Sequence, residues 1–165
     1  MSRDEISDRP LVFGILTVSD TRTEETDVGG RTAADAAVAA GHEVKVRGIV
    51  KDDFDEIRDV LLKWLCKEKL DAIVTTGGTG IARRDVTIEA VKQVIEKEIP
   101  GFGELFRYLS YAEDIGTRAI ASRAIAGVQN GTLIFALPGS VGAVTLGMRR
   151  LILPEVSHLL HECRK

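Results

Sequence analysis

Residues 72–80 read AIVTTGGTG, an apolar run that breaks directly into glycine. The stretch Ala72 to Thr76, rich in β-branched side chains, predicts a short strand buried on both faces. Gly77-Gly78-Thr79-Gly80 then has to be a tight loop at the carboxyl end of that strand. Moving toward the N-terminus, Glu43 to Val50 carries Val44, Val46 and Ile49-Val50 and predicts a strand, as does Leu11 to Ser19 (LVFGILTVS). Toward the C-terminus, Leu133 to Leu137 (LIFAL) predicts a further strand that closes at Pro138-Gly139.

Helical patterns separate these strands. Asp20 to Gly30 is polar and ends in two glycines, so it predicts a loop, and the Ala-rich segment Arg31 to Ala40 predicts a helix stopped by Gly41. Phe54, Ile57, Leu61, Trp64 and Leu65 form one apolar stripe, and Asp53 with Glu56 resembles a capping box at its start. Val86 to Ile95 predicts the next helix. Pro100-Gly101 is expected to break the chain before a helical stretch through Leu105, Phe106 and Leu109. Ser110 to Ser122 is expected to be loop plus a short helix. The last helical region starts near Ser140, and Pro154 either ends or kinks it or sits at the first position of a final helix.

Strands alternating with helices predict an α/β fold, a three-layer sandwich with a mostly parallel sheet flanked by helices. The 165 residues suit one domain over residues 11–165, behind a polar tail at residues 1–10. A net charge of −3 argues against a non-specific nucleic-acid binder. No apolar run approaches the roughly 20 residues that span a bilayer, and the start of the chain lacks the apolar core of a secretory signal, so a cytoplasmic location is expected. Cys66 and Cys163 stand apart from any cluster and support neither a disulfide framework nor a cysteine-based zinc site. His158 and His161 share a helical spacing, but with no histidine-rich partner elsewhere they read as a surface helix end.

Sheets of this kind bind ligands beyond the carboxyl ends of their strands. Ser19-Asp20, Asp52, the loop after Thr76 and Pro138-Gly139-Ser140 all fall at that edge. Glycines let backbone amides approach a phosphate, although neither the P-loop nor the dinucleotide fingerprint is present. Arg83-Arg84 serve either an anionic ligand or plain solvation. Asp85 precedes a helix and is either its cap or a ligand, whereas Asp52 is spared capping because Asp53 has the spacing for it. Two carboxylates with no histidine nearby suit magnesium better than zinc. Ser140 is either a helix cap or a donor to an anion.

Thr75 to Gly80 (TTGGTG), Ala82 to Thr87 (ARRDVT), Pro100 to Glu104 (PGFGE) and Leu137 to Ser140 (LPGS), in that order, closely resemble the MogA/MoaB family, which also includes the G domain of eukaryotic molybdenum-cofactor proteins. The resemblance runs from Val18-Ser19-Asp20 to the final helix, and the length, Ser110 to Val128 and the PGS loop look more like MoaB than MogA. It implies a molybdopterin adenylyltransferase that converts ATP and molybdopterin into adenylyl-molybdopterin and pyrophosphate, in a molybdenum or tungsten pathway. It implies Mg²⁺ held by Asp52 and Asp85 as the two essential acids. Thr76, Gly77, Gly78, Thr79 and Gly80 with Ser19 and Asp20 would hold the nucleotide, and Pro138, Gly139 and Ser140 the pterin. A homo-trimer or homo-hexamer and a downstream metal-insertion protein are the implied partners, without nucleic acid or membrane. The rival expectation is a molybdopterin-binding module or trimeric scaffold without catalysis.

Overall fold

The computed structural model describes residues 9–165, so most of the expected polar tail, residues 1–8, lies outside the described residues. The strands are β1 (Val12–Val18), β2 (Glu43–Val50), β3 (Ala72–Thr76), β4 (Lys97–Glu98), β5 (Ile125–Gln129) and β6 (Thr132–Leu137). Among the described residues they form one sheet in the order β2-β1-β3-β6-β5-β4. β1, β2, β3 and β6 run parallel, and β5 is antiparallel to both β6 and β4.

The helices are α1 (Val28–Ala39), α2 (Phe54–Lys67), α3 (Thr87–Val94), α4 (Pro100–Ser110), α5 (Val141–Leu146) and α6 (Leu153–Cys163). Alternate residues of each strand sort them into two layers. Phe13, Ile15, Val74 and Phe135 face Ala33 and Ala37 of α1, Phe106 of α4 and Val156 of α6. Leu16, Val18, Ile73 and Ile134 face Ile57, Leu61 and Trp64 of α2 and Val91 of α3. Each fully buried large side chain contributes about 1.5–3 kcal/mol. The two layers follow from the strand order. The chain steps outward from β1 to β2 and then back across to β3, so α1 and α2 must cover opposite faces if both crossovers keep the same hand.

Local chemistry explains most of the boundaries. Asp53 caps α2 by accepting from the Glu56 amide at 2.9 Å, as its spacing predicts. Gly14 and Gly48 lie under the Trp64 ring, where a side chain at either position would press on it. No helix among the described residues is long and apolar enough to cross a membrane.

α1 begins at Val28, so Gly29-Gly30 belong to its first turn and not to a loop. Asp27 caps it, accepting from the Gly30 amide at 2.9 Å. Pro100 opens α4 at its first turn instead of breaking the chain, because its missing amide is one that no helix start can use. Ser110 to Ser122 contains no separate loop. Tyr111–Ile115 is a π-helical turn and Gly116–Ala121 a 3₁₀ helix. β5 had no counterpart in the sequence reading. It is paired to β6 through Asn130-Gly131, both at positive φ, the pattern of a type I′ hairpin. For Pro154 the structure selects the first turn of α6, which follows α5 through a π-helical turn at Gly147–Ile152.

Candidate active site at the strand ends

The parallel register carries the four sequence features to one edge. The amide of Ser19 extends the β1–β2 pairing by donating to the Val50 carbonyl at 2.8 Å, and the Gly77 amide donates to the Leu137 carbonyl at 2.9 Å. The loops after β1, β2, β3 and β6 therefore start side by side. They are also in contact. A methyl on Gly77, which sits at φ +96°, would collide with the Val18 carbonyl, and one on Gly139 would lie 3.4 Å from the Gly77 Cα. Gly78, at φ +72°, leaves room for Thr87 Oγ1 and lies near Asp52. Only glycine meets both the dihedral and the steric demand here.

Acidic groups gather over this glycine floor. The Asp52 amide donates to Asp20 Oδ1 at 3.0 Å. Burial pushes the Asp52 carboxyl above the usual carboxylate range, and the charges of Asp20 and Asp85 push it the same way, against Arg84 and a backbone bond from Asp20. The charges of Asp20 and Asp85 thus both bear on Asp52, and a cation beside it would relieve that repulsion. Among the described residues no group of three or more His, Cys, Asp or Glu is arranged to hold a metal by itself. The hard oxygen donors present fit magnesium, which needs only one or two carboxylates and completes its shell with water and phosphate.

Asp85 is not the cap of α3. That helix has Val86 at its N-cap position and no side-chain capping bond. The Asp85 carboxylate instead accepts from the Ala82 amide at 2.9 Å, and the Asp85 amide donates back to the Ala82 carbonyl at 3.0 Å. Asp85 closes the loop it stands in. Ser140 does cap, accepting from the Ala143 amide at 3.2 Å, which leaves its own hydroxyl proton to donate. Thr76 and Thr79 are almost wholly buried, at 1% and 3% exposure, and the Thr76 hydroxyl is engaged beneath the site by Thr17. Arg83 and Arg84 are exposed at its rim.

The bracing network was not visible in the sequence. Thr76 Oγ1 donates to Thr17 Oγ1 at 3.4 Å, Thr17 donates to Asp27 Oδ2 at 2.6 Å, and Arg47 reaches the same oxygen at 3.4 Å. A polar chain thus runs from the β3 end to the start of α1. Thr87 Oγ1 donates to the Gly77 carbonyl at 2.8 Å from the other side. The available signal was Asp27 before Val28-Gly29-Gly30, a cap residue ahead of a helix that glycines made look like loop.

Residues 14–158 match the family described as "Probable molybdopterin binding domain". The curated molybdenum cofactor biosynthesis protein B of Staphylococcus carnosus is 58% identical over 160 residues, covering 96% of this chain and 94% of the relative. A crystal structure of a molybdenum cofactor biosynthesis protein B superposes with a TM-score of 0.90 at 49% identity, over 94% of this chain and 99% of the other. The tungsten cofactor synthesizing protein MoaB from Pyrococcus furiosus superposes at 0.85 and 38% identity, over 96% and 100%. A MogA structure matches at 0.82 and 29% identity, over 92% and 98%. The chain belongs to the MoaB/MogA family of molybdenum-cofactor biosynthesis proteins.

Proposed function

We propose that the protein transfers the adenylyl group of ATP to the terminal phosphate of molybdopterin. The observation that carries this reading is the acidic group Asp20, Asp52 and Asp85 over the Gly77-Gly78 floor. A triphosphate cannot approach three carboxylates unaided, yet the glycine loop suits it, and a divalent cation reconciles the two. The relatives named above take part in molybdenum or tungsten cofactor synthesis, which supplies the pterin as acceptor.

An oxygen of the molybdopterin phosphate forms a bond to the α-phosphorus of ATP. The bond from that phosphorus to the bridging oxygen breaks, and its electron pair leaves on pyrophosphate. Such a reaction depends on alignment and charge stabilisation and requires no covalent enzyme intermediate. Asp52 and Asp85 would hold magnesium, which when bound neutralises charge on the triphosphate and on the leaving pyrophosphate. Ser19, Asp20 and the backbone of Gly77 to Gly80 orient the nucleotide. Pro138, Gly139 and Ser140 line the neighbouring strand end and orient the pterin, with the Ser140 hydroxyl as a donor. Assembly into trimers or paired trimers belongs to the same proposal. The exposed Tyr108, Tyr111 and Ile120 on α4 and the turns after it suit burial against another copy.

Purified protein with molybdopterin, ATP and magnesium is expected to release pyrophosphate, and Asp52→Asn or Asp85→Asn to lower the rate at least about a hundredfold. Asparagine at position 85 retains an oxygen for the Ala82 amide, so the fold should hold. Binding of both ligands without release would instead establish the non-catalytic binding module.

A further inference from the structure

Arg123 lies just after the 3₁₀ helix Gly116–Ala121, two residues before β5 begins at Ile125 and outside every motif that marks the site. Its contacts nevertheless converge on the loop that bears Asp85. The Arg123 amide donates to the Thr79 carbonyl at 3.1 Å. Its Nε donates to the Gly80 carbonyl at 2.9 Å, and Nη2 to the Asp85 carbonyl at 2.9 Å. The outer guanidinium edge pairs with Glu89 in the first turn of α3.

A planar trans peptide points its carbonyl and the following amide in opposite directions. Holding the Thr79 and Gly80 carbonyls on one side therefore turns the Gly80 and Ile81 amides to the other. Among the described residues no protein acceptor takes either amide. The charge of Arg123 is already met by Glu89, so the side chain is committed to the loop and is no free anchor for an anion. Lysine could not replace it, because a single ammonium lacks the fork that spans separated carbonyls.

We propose that Arg123 is a positioning residue for the adenylyl-transfer site: by gathering the carbonyls of Thr79, Gly80 and Asp85 it presents the Gly80 and Ile81 amides to the nucleotide phosphates and sets the stance of Asp85. This inference rests on the function proposed above. It assigns Arg123 to the nucleotide half of the site, since the pterin half is built from the separate loop after β6.

The test compares wild-type protein with Arg123→Lys, and with Glu89→Gln as a milder second variant that leaves the three carbonyl contacts in place. Hydrogen exchange of the Ala82 amide, which Asp85 holds, is measured in nucleotide-free protein. Titration calorimetry then measures binding of magnesium-ATP and, separately, of molybdopterin. Arg123→Lys is expected to speed Ala82 exchange and to weaken magnesium-ATP binding by about tenfold, the scale of one charge-assisted hydrogen bond, while molybdopterin affinity stays unchanged. Glu89→Gln should shift both readouts the same way by about two- to threefold. Unchanged Ala82 exchange in both variants, or equal loss of nucleotide and pterin affinity, would overturn the inference. Wild-type protein that binds no magnesium-ATP would overturn the adenylyl-transfer reading, and Ala82 exchange would still decide whether Arg123 sets the loop.

Discussion

The Asp52 amide donates to Asp20 Oδ1 at 3.0 Å, so one acid of the site fastens the strand end that bears another. The bond is exposed and links the loops after β1 and β2. Asp20→Ala is expected to speed hydrogen exchange at the Asp52 amide by about tenfold, because the amide loses its acceptor. Asp20→Asn keeps an acceptor oxygen and should leave exchange near the wild-type rate. Equal exchange in all three proteins would show that the bond has no structural weight.

Gly77 and Gly41 both lie at positive φ, at +96° and +90°, but in different surroundings. A methyl on Gly41 meets nothing within 4 Å, whereas one on Gly77 collides with the Val18 carbonyl. Gly41→Ala should cost about 1 kcal/mol, the backbone strain alone. Gly77→Ala has to push two strand ends apart as well and should cost at least about 3 kcal/mol or prevent folding. Chemical denaturation of the two variants checks the contrast.

Asp27 is 3% exposed and serves three partners: the Gly30 amide, the Thr17 hydroxyl and Arg47. Asp27→Ala removes the α1 cap and leaves two buried donors unmet. The expected loss is about 2–4 kcal/mol. Because the network ends at Thr76, magnesium-ATP affinity should fall in the same variant, and Asp27→Asn should recover part of both effects.

Asp71, at the opposite edge of the sheet, predicts the acid limit of stability. Burial works to raise its carboxyl, but Arg9, the Val12 amide and Arg164 all donate to it and hold it below the usual carboxylate range. A carboxyl depressed in the folded state stabilises fully above its unfolded value of about 3.9, and that contribution disappears as pH falls through the lower folded value. Wild-type stability should therefore drop steeply below about pH 4. Asp71→Asn should be less stable at neutral pH and show a flatter acid limb. Urea titrations across that range check both.

The main frame of the fold was legible because its signals are local. Apolar runs at Leu11 to Ser19, Ala72 to Thr76 and Leu133 to Leu137 mark strands whatever lies beside them, and the α2 stripe carries its own cap in Asp53. The misread segments are those where a neighbour reversed the local preference. Gly29-Gly30 looks like loop until Asp27 caps the turn and Gly139 packs against Gly29. Asn130-Gly131 was a readable hairpin signal, yet β5 is short and carries Gly127, which lies under the Ile95 side chain and weakens the strand pattern.

The sequence by itself determined that Ser19-Asp20, Asp52, the glycine loop and Pro138-Gly139-Ser140 share an edge, because parallel strands linked by helices all end on the same side. It also singled out Asp52, since Asp53 had the better claim to the cap. Only the tertiary structure decided what Asp85 does. A residue before a helix is a cap only if its carboxylate turns toward the first-turn amides, and here it turns back to Ala82 instead. Only the tertiary structure, likewise, brought Thr17, Asp27 and Arg123 beneath or behind that edge. Their partners lie 10 to 59 residues away for Thr17 and 38 to 43 for the Arg123 side-chain bonds to the loop. Hydrogen bonds over such separations leave no periodicity in the chain, and they exist only once the sheet has brought their ends together.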